Sequence, residues 1–212
     1  MKITHLGHAA VLVETAGARI LIDPGSFADA WHGLTGLDAV VVTHQHPDHV
    51  DPQHLPALLA ANPDARVLVE PSVPDAVDLP GAVALPSGDA TSVGRVRVEA
   101  VGGEHAVIHR DIPQIGNVGI VLRSEGEPTL FHPGDSLAAS PGGIDVLALP
   151  IMGPWAALKE HIDFIRQVGA AQAFPIHEGL LNERGFGLYF SRAGDMTDTD
   201  VHDWRDGQPH AV

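Results

Sequence analysis

The sequence predicts one mixed α/β (α+β) domain spanning residues 1–212, with more strand than helix. Short β-branched runs recur between Gly, Pro and Asp turns. Apolar residues fall at helical spacing in only a few stretches. No period repeats, and no linker-like segment divides the chain.

Taken in order, Lys2–Leu6, Ala10–Glu14 and Arg19–Ile22 read as a meander turned by "ETAGAR". "LDAVVVTH" follows as a strand whose unbroken apolar run implies burial on both faces. A helix is expected near Leu55–Ala61, with Leu55, Leu58 and Leu59 at helical spacing and Pro52 or Pro56 at its start. "ARVLVEP" returns to strand, Asp75–Val77 makes a short helical turn, and Gly81–Asp89 is loop. "RVRVEAV" alternates charged and apolar residues, as a half-exposed strand does. "NVGIVLRS", "PTLFHPGD" and "DVLALPI" continue at sheet-like spacing. Ala157–Val168 sets Leu158, Ile162, Ile165 and Val168 on one helical face, with Gly169 as its stop. "AQAFPIH" is again strand. Gly185–Asp195 reads as a terminal helix or a cover for a subunit interface, with Phe186, Leu188 and Phe190 packing into the core. Phe27 and Trp31 form an apolar patch after Asp23, read as packing before pocket wall.

Composition narrows the chemistry. Hydrophobic residues make up 44% of the chain, and mean hydropathy is near zero, as in soluble globular proteins. The start, "MKITHLGHAAVLVE", carries no signal-like apolar core and no membrane span, so the cytoplasm is the expected compartment. The formal charge of −15 argues against a nucleic-acid partner. Without cysteine there are no disulfides, no thiolate metal sites and no thiol catalysis. Histidine is the outlier, with 14 copies against 12 Lys plus Arg.

Those histidines cluster where strands end. "VVVTHQHPDHVD" hangs His44, His46, Asp48 and His49 on a buried strand. Residues two apart in an extended segment face the same side, so His44 and His46 can grip one ion. Pro47 turns the chain, letting Asp48 and His49 face a second. His105 in "VGGEHAV", Asp135 in "FHPGD" and His177 in "FPIHEG" stand just past other strands, as does Asp23 in "ILIDPG".

H-x-H-x-D-H followed by a His, an Asp and a His resembles the metallo-β-lactamase fold superfamily, from Lys2 to about Glu178. The resemblance implies a four-layer αββα sandwich binding two divalent metal ions, zinc first, with manganese or iron as alternatives. His44, His46 and His105 would hold one ion, Asp48, His49 and His177 the other, and Asp135 both. Asp23 would orient a ligand histidine, or else simply cap the turn before Pro24. The implied reaction is hydrolysis of a small ester, lactone or phosphodiester by a metal-bound hydroxide, with Asp48 as the catalytic carboxylate. "MKIT-x-LGH-x-A" and "NVG" are similar to the compact branch around ascorbate-6-phosphate lactonase, whereas "VDPQHLP" after His49 departs from it. His8 belongs to that opening motif and either approaches the metal rim or is merely solvated. His109 and Asp111 occupy a loop starting at a ligand, so they either meet substrate or face solvent. His132 reads as a buried partner, and His32, His54, His161, His202 and His210 as surface. The alternatives are an iron-dependent oxidoreductase on the same scaffold and a non-catalytic metal- or ligand-binding module. A small-molecule substrate is the expected partner, with no membrane, and a homo-oligomer is compatible with the sequence.

Overall fold

The computed structural model describes residues 1–212. Two seven-stranded sheets form the centre. The first sheet holds β1 (Lys2–Gly7), β2 (Ala10–Thr15), β3 (Ala18–Ile22), β4 (Ala39–Val42), β5 (Arg66–Val69) and β6 (Val83–Ala84). The second sheet follows with β7 (Ala90–Val93), β8 (Val96–Glu104), β9 (Gly116–Arg123), β10 (Leu130–His132), β11 (Val146–Pro150), β12 (Gln172–Ile176) and β13 (Asp200–Val201). β14 (His210–Ala211) then returns to pair antiparallel with β1, giving the orders β14-β1-β2-β3-β4-β5-β6 and β13-β12-β11-β10-β9-β8-β7. The helices are α1 (Leu55–Ala61), α2 (Val73–Ala76), α3 (Leu158–Val168) and α4 (Glu183–Asp195).

Strand alternation sorts the core into layers. Ile20, Ile22 and Val41 pack against Val98, Ile120 and Ala148 between the sheets. Leu21, Val40 and Val42 turn the other way, onto Leu55, Leu58 and Val73 of α1 and α2. Val121, Phe131 and Leu147 meet Phe164 and Ile165 of α3 and Ala193 of α4. The result is the αββα sandwich, and β4, buried throughout, is apolar because both its faces are covered.

Several expectations need correcting. Gly81–Asp89 contains the edge strand β6, and the short helix sits at Val73–Ala76 rather than Asp75–Val77. Pro56 lies in the first turn of α1. Leu188 is 52% exposed, while Phe186 is buried and stacks on Phe190. His161 is buried, not surface. Trp31 packs fully into the core, whereas Phe27 stays half exposed. No helix is long and apolar enough to cross a membrane.

Candidate metal centre

The converging residues sit just past strand ends: His8 after β1, Asp23 after β3, His44 after β4, His105 after β8, Asp135 after β10 and His177 after β12. His8, Asp23 and His177 are three of the four non-glycine residues with positive φ. A left-handed backbone costs on the order of 1–3 kcal/mol at such residues and persists where surroundings over-determine it. Here the His177 N–H donates to the His8 carbonyl at 2.9 Å, and the Asp23 N–H to Val41 at 2.9 Å. Close approach fixes two glycines. A Cβ on Gly25 would lie 1.8 Å from the Asp48 carbonyl oxygen, and one on Gly134, at φ +63°, would lie 2.3 Å from Asn117 Oδ1. Asn117 Oδ1 is the acceptor for the Asp135 N–H, at 2.9 Å.

Hydrogen bonds decide which nitrogen of each imidazole keeps its lone pair. His49 Nδ1–H donates to Asp23 Oδ2 at 2.7 Å. The same oxygen accepts the Thr43 hydroxyl at 2.7 Å, so Thr43 Oγ1 is left to accept from His44 Nδ1–H at 3.1 Å. His105 Nδ1–H donates to the Ala106 carbonyl at 2.6 Å, and His177 Nδ1–H to that of Met152 at 2.6 Å. Carbonyls and carboxylates only accept, so in the neutral form each of these rings keeps its proton on Nδ1 and turns an Nε2 lone pair inward.

Those Nε2 atoms meet carboxylates. Asp135 Oδ1 is 3.1 Å from His49 Nε2, and its Oδ2 lies 3.0 Å from His177 Nε2, 3.4 Å from His105 Nε2 and 4.0 Å from His44 Nε2. Asp48 Oδ2 is 3.5 Å from His177 Nε2. His44 Nε2 and His46 Nδ1 approach to 3.1 Å. Lone pair facing lone pair is repulsive unless a cation or proton intervenes. His49 Nε2, His105 Nε2, His177 Nε2 and Asp135 Oδ1 are buried with no hydrogen-bond partner. The donors fall into two groups, His44–His46–His105–Asp135 and His8–Asp48–His49–His177, each able to hold an ion. The electrostatic surroundings carry the same excess of negative charge. Burial opposes charging His177, yet Asp135 overrides it and raises the pKa to about 9. His49 likewise rises well above the usual range against burial, through Asp135 and Asp23. His44, for which desolvation dominates, falls well below it. Imidazole and carboxylate without thiolate suit a borderline divalent ion.

His8 belongs to the second group by distance, but its Nδ1 accepts the Gly179 N–H at 3.1 Å. Its Nε2–H therefore donates to Asp48 Oδ2 at 3.1 Å, so His8 holds the carboxylate. His132 is buried, donating through Nε2–H to the Ala9 carbonyl at 3.0 Å. His109 stands apart on its loop, its side chain 55% exposed, with Nδ1 accepting the Asp111 N–H at 3.2 Å. Sequence reasoning missed Trp155, whose Nε1–H donates to Asp135 Oδ2 at 3.1 Å, and Glu178, which accepts the His8 N–H at 2.9 Å. Both stand beside recognised features, in "GPWAAL" and "IHEG", which was the available signal.

A hollow of about 320 Å³ opens over the cluster, walled by Phe27, Ile108, Pro154, Trp155 and Leu180. A second, of about 500 Å³, adjoins it across His105 and Trp155. Neither is lined by Lys or Arg.

A family model described as a beta-lactamase superfamily domain matches residues 2–177, ending on the last converging histidine. The chain belongs to the metallo-β-lactamase superfamily. Protein Rv0786c of Mycobacterium tuberculosis is 41% identical over 201 residues, 94% of each chain. A UPF0173 metal-dependent hydrolase of Sinorhizobium medicae is 36% identical over 154 residues, 64% of this chain and 63% of that one. Igni18, a metallo hydrolase of the archaeon Ignicoccus hospitalis, covers 100% of this chain and 98% of its own at TM-score 0.75 and 17% identity, a likeness of fold alone.

Proposed function

We propose that this superfamily member is a dinuclear-metal hydrolase of small, uncharged esters or lactones. The observation that carries the reading is a pair of donor groups that touch at Asp135, which belongs to the first and lies within 3.1 Å of His49 and His177 of the second, with Nε2 atoms buried and without hydrogen-bond partners around it. His44, His46 and His105 would hold one ion, Asp48, His49 and His177 the other, and Asp135 both. Zinc is expected first, with manganese or iron accepting the same donors. When bound, such ions supply Lewis acidity and bring the pKa of water toward neutrality.

The chain's own groups do the rest. Asp48, held by His8, accepts the proton of the attacking water. As the ester C–O bond breaks, that proton passes to the departing alcohol oxygen. Phe27, Ile108, Trp155 and Leu180 bind the apolar parts and exclude solvent. Substrate charge decides between classes. With no Lys or Arg on the walls and a formal charge of −15, an anionic phosphodiester gains nothing from the protein itself. The same balance disfavours nucleic acid.

Elemental analysis beside a panel of lactones, aryl esters, phosphodiesters and β-lactams tests the reading. Lactones or esters should turn over fastest, and Asp48→Asn should fold yet lose about 100-fold or more in rate. Full turnover by Asp48→Asn with both ions bound overturns the assigned role. An iron-loaded protein that consumes oxygen supports an oxidoreductase instead.

A further inference from the structure

We propose a third cation site, separate from the cluster above, formed by His32, Asp51 and His54 and taking a divalent transition ion such as Zn2+. One donor atom from each residue lies within 4.8 Å of the others. The His32 and His54 rings stack at 4.3 Å between centroids, 30° apart. His54 Nδ1 is 2.6 Å from Asp51 Oδ2. None of the three residues takes part in the catalytic reading, so this inference stands without it.

The site is built rather than fortuitous in two respects. Asp51 is only 4% exposed, and its Oδ1 accepts the N–H groups of Gln53 at 2.8 Å and His54 at 3.3 Å. Its Oδ2 faces the imidazoles and accepts the His54 Nδ1–H, a proton that a bound ion would displace. The ring of Trp31, buried and tied by Nε1–H to the Gly25 carbonyl at 3.1 Å, stands edge-on to His32 at 4.4 Å. Two imidazoles and a carboxylate are a borderline-soft set that favours zinc, nickel or copper over magnesium or calcium. Ligands at bonds of ~2.1 Å in a tetrahedron sit about 3.4 Å apart. With an ion in place of the His54 Nδ1 proton, that nitrogen and Asp51 Oδ2 spread from 2.6 Å, rotation of the exposed His32 brings its nitrogen in, and water fills the last position.

Such an ion would fasten two segments. His32 lies in the strap 24–37, and Asp51 and His54 lie where the H-x-H-x-D-H loop runs into α1. The strap already rests on that loop through Ser26 N–H to Pro47 O at 2.8 Å and Asp51 N–H to Pro24 O at 3.0 Å. An ion at the third site would therefore stiffen the loop carrying His44 through His49.

The test is equilibrium dialysis of the full chain against graded Zn2+, with bound metal counted by elemental analysis. At saturation, wild type should bind one more ion per chain than the His32→Ala/His54→Ala double variant, with the tighter ions unchanged. His32→Ala alone, which leaves the Asp51–His54 pair intact, should weaken the extra ion about 10-fold or more. Wild type should also gain melting temperature over the Zn2+ range that fills this site, and the double variant should not. Equal stoichiometry in wild type and double variant, or an extra ion unaffected by His32→Ala, overturns the site.

Discussion

The two halves of the sandwich hold their histidines differently. On the first sheet, His44 and His49 are both oriented by one buried carboxylate, Asp23, the former through the Thr43 hydroxyl. On the second sheet, His105 and His177 are oriented by the main-chain carbonyls of Ala106 and Met152. All four rings end with Nδ1–H engaged and Nε2 turned inward. The first half reaches that state through a side chain that substitution can delete, the second through backbone that it cannot. The first half should therefore be the fragile one.

The largest expected effect follows. Asp23 has no exposed surface, and three donors converge on it: the Thr43 N–H, the Thr43 hydroxyl and His49 Nδ1–H. Asp23→Ala leaves them unpaired in the interior, a loss of about 3–5 kcal/mol when a buried charged partner goes. With Thr43 and His49 unanchored, affinity for metal should fall by roughly 10–100-fold as well. Denaturant unfolding and bound metal, measured together, check this. Wild-type loading by Asp23→Ala would show that the two halves are not held by different means.

How much of this was legible in the sequence follows the same division. His44, His46, Asp48, His49, His105, Asp135 and His177 stood out because donors past apolar strands are a local pattern. Asp23 was visible too, as an aspartate closing β3. Glu178 and Trp155 were not, since their roles rest on contacts to His8, 170 residues away, and Asp135, 20 residues away. β13 and β14 are two-residue edge strands, too short to show alternation. His161 was misread although the signal existed: it lies three residues after Leu158 and four before Ile165, on the apolar face of α3.

His161 sharpens the comparison, being a buried imidazole without the carboxylates that surround His49. It lies 5.9 Å from the Trp155 ring and 6.0 Å from that of Tyr189. Desolvation outweighs the charge of Glu160, and its pKa falls to about 4. In the unfolded chain the same group titrates near its ordinary value, ~6.5. Between these values the unfolded state binds a proton that the native state refuses. Stability should therefore fall as pH drops from about 6.5 to 4, by up to about 1.4 kcal/mol per unit, and level off below. Urea unfolding of wild type and His161→Phe at matched pH isolates the contribution. Parallel pH profiles for the two would refute it.

The smallest effect is expected at Met152, and its smallness is the point. His177 Nδ1–H donates to the Met152 carbonyl at 2.6 Å, an acceptor that every residue at this position carries. Met152→Leu keeps that carbonyl and nearly the same volume, a kind of exchange that costs under about 1.5 kcal/mol. The residue is only partly buried, so the cost should lie at the low end. Metal content and turnover should match wild type, whereas Thr43→Val, also close in volume, removes the hydroxyl that accepts from His44 Nδ1–H and should lower metal affinity. Both variants alter one residue and leave the Nε2 donors themselves in place. If Met152→Leu lost metal as readily as Thr43→Val, orientation of His177 would have to come from side-chain packing around it, and the contrast between the halves would fail.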